Sequence, residues 1–394
     1  MNLFAQHAYG KSDKIETALA DMNIDGVILS PRGEKPATLD STISSLKTKF
    51  PRCTLLIDPQ FHYSVFSPVK LGNLDECSYF TASLTRANFL SASTINDYVD
   101  KVLQYQVERD LDYIVSPTVF FNSFNDTWSQ VALQLAQASI ERHRGLDTKA
   151  PLLISLVFAE TALGENAVLD EFLNLVTTLD AHGFYLTVRR NSSSYRQQMD
   201  PSYLESLMYL VYSLANRNDF CVLLGYTDII GIIFQCFDIL GTGCGWFSTS
   251  RQFTSLSYEP QTGGAQPRPR YTSAQMLNSI TVFPELDALC TNGFTAEVVS
   301  ATNYDGQIAL RRDQWNNSVS ALHHWAVIKR LADNIRQQGN ISNRLSHLSA
   351  LIDQAQLLYT RQKRSGIVFE PNSGDAHLDQ WKRAITGFRN RVNV

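Results

Sequence analysis

The chain has 394 residues, 44% of them hydrophobic and 18% charged, with a formal net charge of -4. That is enough apolar material for one large core plus an accessory region, and so little net charge excludes a global electrostatic pull toward nucleic acid, leaving only a local basic surface for such binding. Six scattered cysteines, Cys53, Cys77, Cys221, Cys236, Cys244 and Cys290, with no legible signal peptide, lead us to expect a reduced, cytoplasmic setting.

In chain order, short apolar runs end in polar residues and are followed by amphipathic stretches. The runs are Gly26 to Ser30, Thr54 to Ile57, Tyr113 to Val115, Leu152 to Phe158, Phe184 to Val188, Phe220 to Leu224 and Gly245 to Ser248. Runs that are apolar throughout, rather than alternating, fit parallel strands buried on both faces. The series predicts an α/β fold, a (β/α)8 TIM-like barrel over residues 1–283. Helical spacing of Leu39, Ile43 and Leu46, of Val131, Leu135 and Ala138, of Leu169, Phe172 and Val176, and of Leu204, Leu207 and Leu210 supplies the outer ring. Ser64 to Phe89 is a long strand-to-helix loop with Pro68, Gly72 and Asn73 as breakers, and Glu259 to Tyr271 reads as an exposed lid or linker.

Beyond Phe283 the rhythm becomes helical, so residues 284–394 are expected to form a helical C-terminal extension. Trp315 to Ala326 and Ile341 to Tyr359 read as two antiparallel helices turning at Gly339 with Asn340 as cap, and a third helix spans Ala376 to Phe388. The basic residues near the end, among them Arg361, Lys363, Lys382 and Arg391, read first as a solvated helix face and second as a binding patch. The longest apolar stretch, Ile229 to Leu240, is broken by Gln235 and Asp238 and is shorter than the ~18 residues of a membrane helix, so no membrane partner is expected.

Standard phosphate-loop, dinucleotide, serine-elbow and zinc-protease motifs are absent, and no cofactor is expected. A barrel gathers the residues that follow its strands around one mouth. These are Arg32 after the first run, Asp58, Gln60 and His62 after the second, Glu160 after the fourth, Arg189 and Arg190 after the fifth and Arg251 after the seventh. So many arginines beside few carboxylates suit an anionic ligand. Each has a plainer reading: Asp58 starts an Asx turn before Pro59, His62 is an ordinary part-buried histidine, and Glu160 caps a helix. His323 and His324 are expected at a helix interface.

Taken together, Asp58-Pro-Gln-Phe-His-Tyr-Ser-Val-Phe-Ser is similar to the DSGGFQVFS loop of tRNA-guanine transglycosylases. LLGYTDIIGIIFQCFDILGTGCGWFSTSRQF, Leu223 to Phe253, resembles that family's stretch around CVLPTR, and SALHHWAVIKR falls where the family has its zinc-binding histidine helix. The resemblance implies a barrel that binds a base, with Asp58 as its base-proximal, catalytic aspartate. The family's nucleophilic aspartate is missing from Gly243 to Ser248, and only Cys290 remains of its cysteine cluster. The expectation is therefore a diverged barrel that binds a nucleobase, nucleotide or nucleic acid without base exchange, and holds no metal. The alternative is an interaction subunit of a multiprotein prokaryotic defence or nucleic-acid-processing complex, with the C-terminal helices meeting a protein partner.

Overall fold

Eight parallel strands close a barrel in which each strand neighbours the next in sequence. The structure, a computed structural model, describes residues 2–192, 195–260, 267–310 and 312–394. The sheet comprises β1 (Asn2–Gln6), β2 (Gly26–Leu29), β3 (Thr54–Ile57), β4 (Ile114–Val115), β5 (Phe120–Phe121), β6 (Leu152–Ala159), β7 (Gly183–Arg189), β8 (Cys221–Gly225) and β9 (Gly241–Cys244). β1 lies between β2 and β9, and a parallel bridge from Leu56 of β3 to Tyr113 brings the two remaining edges together. β4 and β5 both pair with β6 and form one broken stave. The break holds Pro117, which has no N–H to give, and the Ser116 hydroxyl accepts from Ser155 N at 2.9 Å in place of a ladder bond.

The crossover helices are α1 (Lys14–Ala20), α2 (Pro36–Lys49), α3 (Ala92–Val107), α4 (Thr127–His143), α5 (Asn166–Val176), α6 (Pro201–Tyr212) and the single-turn α7 (Gly231–Phe234); α8 (Ser248–Arg251) follows β9. Strand side chains alternate between two apolar layers. Phe4, Ile28, Leu56, Val115, Leu153, Tyr185 and Leu223 fill the barrel, while Leu3, Val27, Leu55, Ile154, Phe184 and Val222 pack outward in the layer shared with the helices. Burial on both faces is why these strands read as unbroken apolar runs.

Three strands differ from the expectation: the last is Gly241–Cys244 rather than Gly245 to Ser248, and neither β1 nor β5 was among the expected runs. Gly241 and Gly243 weaken the strand signal, yet a Cβ at Gly243 would stand 2.6 Å from Ile28 Cδ1, so a side chain there would have to displace Ile28 inside the barrel.

The hairpin β10 (Arg270–Ser273) and β11 (Asn278–Thr281) follows. Residues 261–266 of the expected lid lie outside the described residues, and its end is not exposed: Arg270 and Tyr271 are buried in β10. Short helices α9 (Asp287–Thr291), α10 (Thr295–Val298) and α11 (Asp305–Leu310) lead to α12 (Asn317–Arg336), α13 (Ile341–Arg364) and α14 (Ala376–Val392). The α12–α13 turn follows the sequence: Gly339 takes φ +81°, and the Asn340 side chain accepts from Asn343 N at 2.9 Å. One apolar cluster runs from Leu3 to Val392, so these helices share the barrel's outer core. Among the described residues no helix is long and apolar enough to cross a membrane.

Candidate functional site at the carboxyl mouth of the barrel

After β3 the chain turns sharply. Gln60 adopts a left-handed φ of +51° and its N–H donates to Asp58 Oδ1 at 3.0 Å, which is the Asx turn read from Asp58-Pro59. The other carboxylate oxygen faces the barrel, 3.2 Å from the Tyr185 hydroxyl and 3.4 Å from that of Tyr226. Gln60 extends the network: its amide donates to Tyr226 Oη at 3.1 Å, and its carbonyl accepts from Ser30 Oγ at 2.9 Å and Arg32 N at 3.2 Å. Tyr185 reaches this height because Gly225 has no side chain; a Cβ there would lie 2.4 Å from the Tyr185 oxygen. Burial pushes the Asp58 carboxyl up to about 6, against the opposing hydrogen bonds from Gln60, Tyr185 and Tyr226.

The same end of the barrel stores strain and unmet polar groups. Tyr226 and Asp228, just past β8, hold φ values of +56° and +48°, which cost about 1 kcal/mol or more each outside glycine. Gln6 Nε2 on β1 and Thr187 Oγ1 on β7 are buried with no hydrogen-bond partner, each costing about 1–3 kcal/mol. Groups left in that state at strand ends mark a place that a polar ligand can complete.

Aromatic side chains close the mouth above this network. Tyr63, Phe66, Phe120, Tyr226, Phe253 and Tyr258 form one buried cluster, with Phe66 and Tyr258 stacked at 4.0 Å. A cleft of about 50 Å³ persists beside them, bordered by His7, Ser30, Arg32, Gln60, Tyr63 and Tyr226. His62 is a member of the aromatic wall, 4.7 Å from the Tyr63 ring and 5.3 Å from that of Phe253. Its Nε2 is buried without a partner, and burial lowers its pKa to about 3, helped by the nearby Arg32 charge. Between pH 6.5 and 3 the native state therefore binds fewer protons here than the unfolded chain. Stability is full above pH 6.5 and falls as the pH drops, by up to about 1.4 kcal/mol per unit. His62→Phe is expected to cost little at pH 8 and to flatten the acid limb of a Tm-against-pH curve; an unchanged limb would show that His62 titrates normally.

The arginines do not line an open anionic pocket. Arg32 borders the cleft but donates from Nε and Nη2 to Lys70 O at 3.0 and 2.9 Å and lies over the Tyr63 ring. Arg189 packs over Phe120 and reaches Tyr258 Oη at 3.3 Å and Asn122 Oδ1 at 3.4 Å. Arg190 is buried against Glu160 at 2.8 Å, and the second Glu160 oxygen accepts from Asn191 N at 2.9 Å, so Glu160 is an ion-pair partner rather than a helix cap. Arg251 is buried, and its Nε and Nη1 have no hydrogen-bond partner.

One constellation escapes sequence reading. Asp228 after β8, Cys244 at the end of β9 and His324 on α12 bring a carboxylate, a thiol and an imidazole within 4.8 Å of one another. Cys244 lies 16 residues after Asp228 and 80 before His324, so no spacing motif announces them. His323 and His324 are at a helix interface as expected, both fully buried. Cys290 is a separate, half-buried free thiol. The basic C-terminal residues are largely paired: Arg361 with Glu297, Lys363 with Asp375, Lys382 with Asp353 and Arg391 with Asp170. No protein-family model and no curated protein matches the chain.

Proposed function

We propose that the carboxyl mouth of the barrel binds a nucleobase, free or carried by a nucleotide or nucleic acid, and does not exchange it, as a diverged barrel resembling tRNA-guanine transglycosylases would. The observation that carries this reading is the buried Asp58–Gln60–Tyr226 network with the unpartnered Gln6 Nε2 beneath a wall of aromatic rings. A carboxylate and a carboxamide offer the donor and acceptor edges that a base presents, and aromatic faces offer stacking. The cleft of about 50 Å³ is too small for a base, so entry requires side chains of its lining, Arg32, Tyr63 and Tyr226 among them, to move aside. Base exchange needs a second carboxylate as nucleophile. Gly243 to Ser248 has none, and Asp228, in the preceding loop, is engaged by Gln197 at 2.7 Å and by Ile229 N at 2.9 Å.

The test begins with the absorbance ratio and mass spectrum of the purified protein, followed by calorimetric titration with guanine and guanosine monophosphate. Asp58→Asn and Gln60→Ala should each weaken binding by about 1.5–3 kcal/mol, roughly 10- to 150-fold. No copurifying base and no heat with either probe would end the reading. Robust incorporation of labelled guanine into tRNA, lost in Asp58→Asn, would instead restore exchange chemistry.

A second reading, a protein-docking subunit, draws on a separate surface. Leu331, Leu351 and Leu358, with Glu297, Arg330 and Arg361, line a cleft of about 410 Å³ against α12 and α13, and Leu357 on α13 is two-thirds exposed. It becomes the leading reading if no base binds.

A further inference from the structure

We infer that Asp228, Cys244 and His324 form a zinc-class metal site that joins helix α12 to the ends of strands β8 and β9. His324 Nε2 lies 3.1 Å from Asp228 Oδ1 and 3.3 Å from Cys244 Sγ. A single ring nitrogen carries either one proton or one lone pair, so it cannot serve both neighbours fully. A cation placed among the three serves all of them. Zinc bonded to nitrogen and oxygen at about 2.0 Å and to sulfur at about 2.3 Å in tetrahedral geometry sets N···O at about 3.3 Å and N···S at about 3.5 Å. The observed separations are within a few tenths of an ångström of both.

The surrounding groups orient the donors as a metal's outer partners do. His324 Nδ1 is held by Thr272 Oγ1 at 2.8 Å, which leaves Nε2 pointing to the centre. Asp228 Oδ2 accepts from Gln197 Nε2 at 2.7 Å and Oδ1 from Ile229 N at 2.9 Å. Loading balances simply: the Cys244 thiol gives up its proton to solvent, the His324 proton moves to Nδ1, and Nδ1 then donates to Thr272. A thiolate and a carboxylate neutralise a divalent ion and leave its fourth position open. The buried Arg251 guanidinium, close enough for its charge to act on both Asp228 and His324 and with Nε and Nη1 lacking partners, is suited to hold an anionic fourth ligand such as hydroxide or chloride.

This set revises the sequence expectation of no metal, which considered Cys290 with His323 or His324 and could not see Asp228 and Cys244 beside them. It is independent of base binding at the mouth. The test uses the full chain, stripped with a chelator and reloaded with zinc or cobalt(II). Elemental analysis should find about one zinc per chain after gel filtration, and cobalt should give a thiolate charge-transfer band with tetrahedral d–d absorption. Cys244→Ser and Asp228→Asn should each cut retained metal by about tenfold or more, whereas Cys290→Ser should leave it unchanged. Folded wild-type protein, checked by circular dichroism, that shows neither retained zinc nor the cobalt band overturns the site. So does a cobalt charge-transfer band that persists in Cys244→Ser. The wild-type spectrum decides the matter even if a variant fails to fold.

Discussion

Arg190→Ala should lower the free energy of unfolding by about 3–5 kcal/mol, because it strands the buried Glu160 carboxylate without its counter-charge. The side chains are 6% and 10% exposed and their closest atoms are 2.8 Å apart. Arg190 also donates to Gln198 O at 2.5 Å, and its own N–H donates to Phe253 O at 2.8 Å, so it ties the loop after β7 to the aromatic wall. The double substitution Arg190→Met with Glu160→Leu should recover most of the loss, since two apolar chains of similar volume remove the unpaired charge. Urea denaturation of the wild type, both single variants and the double variant measures this directly. A loss below about 1 kcal/mol for Arg190→Ala would mean that the pair behaves as a solvated surface ion pair, and the guanidinium would again be free to contact a ligand.

The second large effect is expected at Trp325. This ring is fully buried on α12, meets Trp246 edge-on at 6.2 Å, and donates from Nε1 to the Cys244 carbonyl at 2.8 Å. Trp325→Ala removes the packing and should cost about 3–5 kcal/mol. Trp325→Phe keeps most of the ring but orphans the carbonyl, a loss of about 1–3 kcal/mol. The apolar cluster is continuous from β1 to α14. Both variants should therefore unfold in one cooperative transition at a lower temperature. Two separated transitions in calorimetry would show instead that the C-terminal helices fold as their own unit.

Much of the architecture was legible because burial leaves a local pattern. β6, Leu152–Ala159, is apolar at every position but Ser155, and the stripes Leu39, Ile43, Leu46 and Leu345, Leu348, Ile352 mark helix faces that are in fact buried. Gly339 and Asn340 gave the α12–α13 turn from backbone chemistry alone. Where local chemistry and tertiary demand diverged, reading failed. β9 is Gly-Thr-Gly-Cys, whose two glycines weaken the local strand signal, while the crowding of Gly243 by Ile28 and Gln6 is visible only in the closed barrel.

The amino-acid sequence by itself determined which faces are buried, and so determined parallel strands, amphipathic crossovers, a barrel and the set of polar residues at its mouth. Periodicity encodes burial because neighbours in sequence share one backbone geometry. Only the tertiary structure decided what those residues touch. It turned Arg190 toward Glu160 rather than toward a ligand, packed Phe66, Phe253 and Tyr258 into one cluster with Tyr226, and brought Asp228, Cys244 and His324 to one point. Contacts of that kind are set by barrel closure and by the path of α12 across the strand ends, geometric events that join residues far apart in the chain and leave no trace in local spacing.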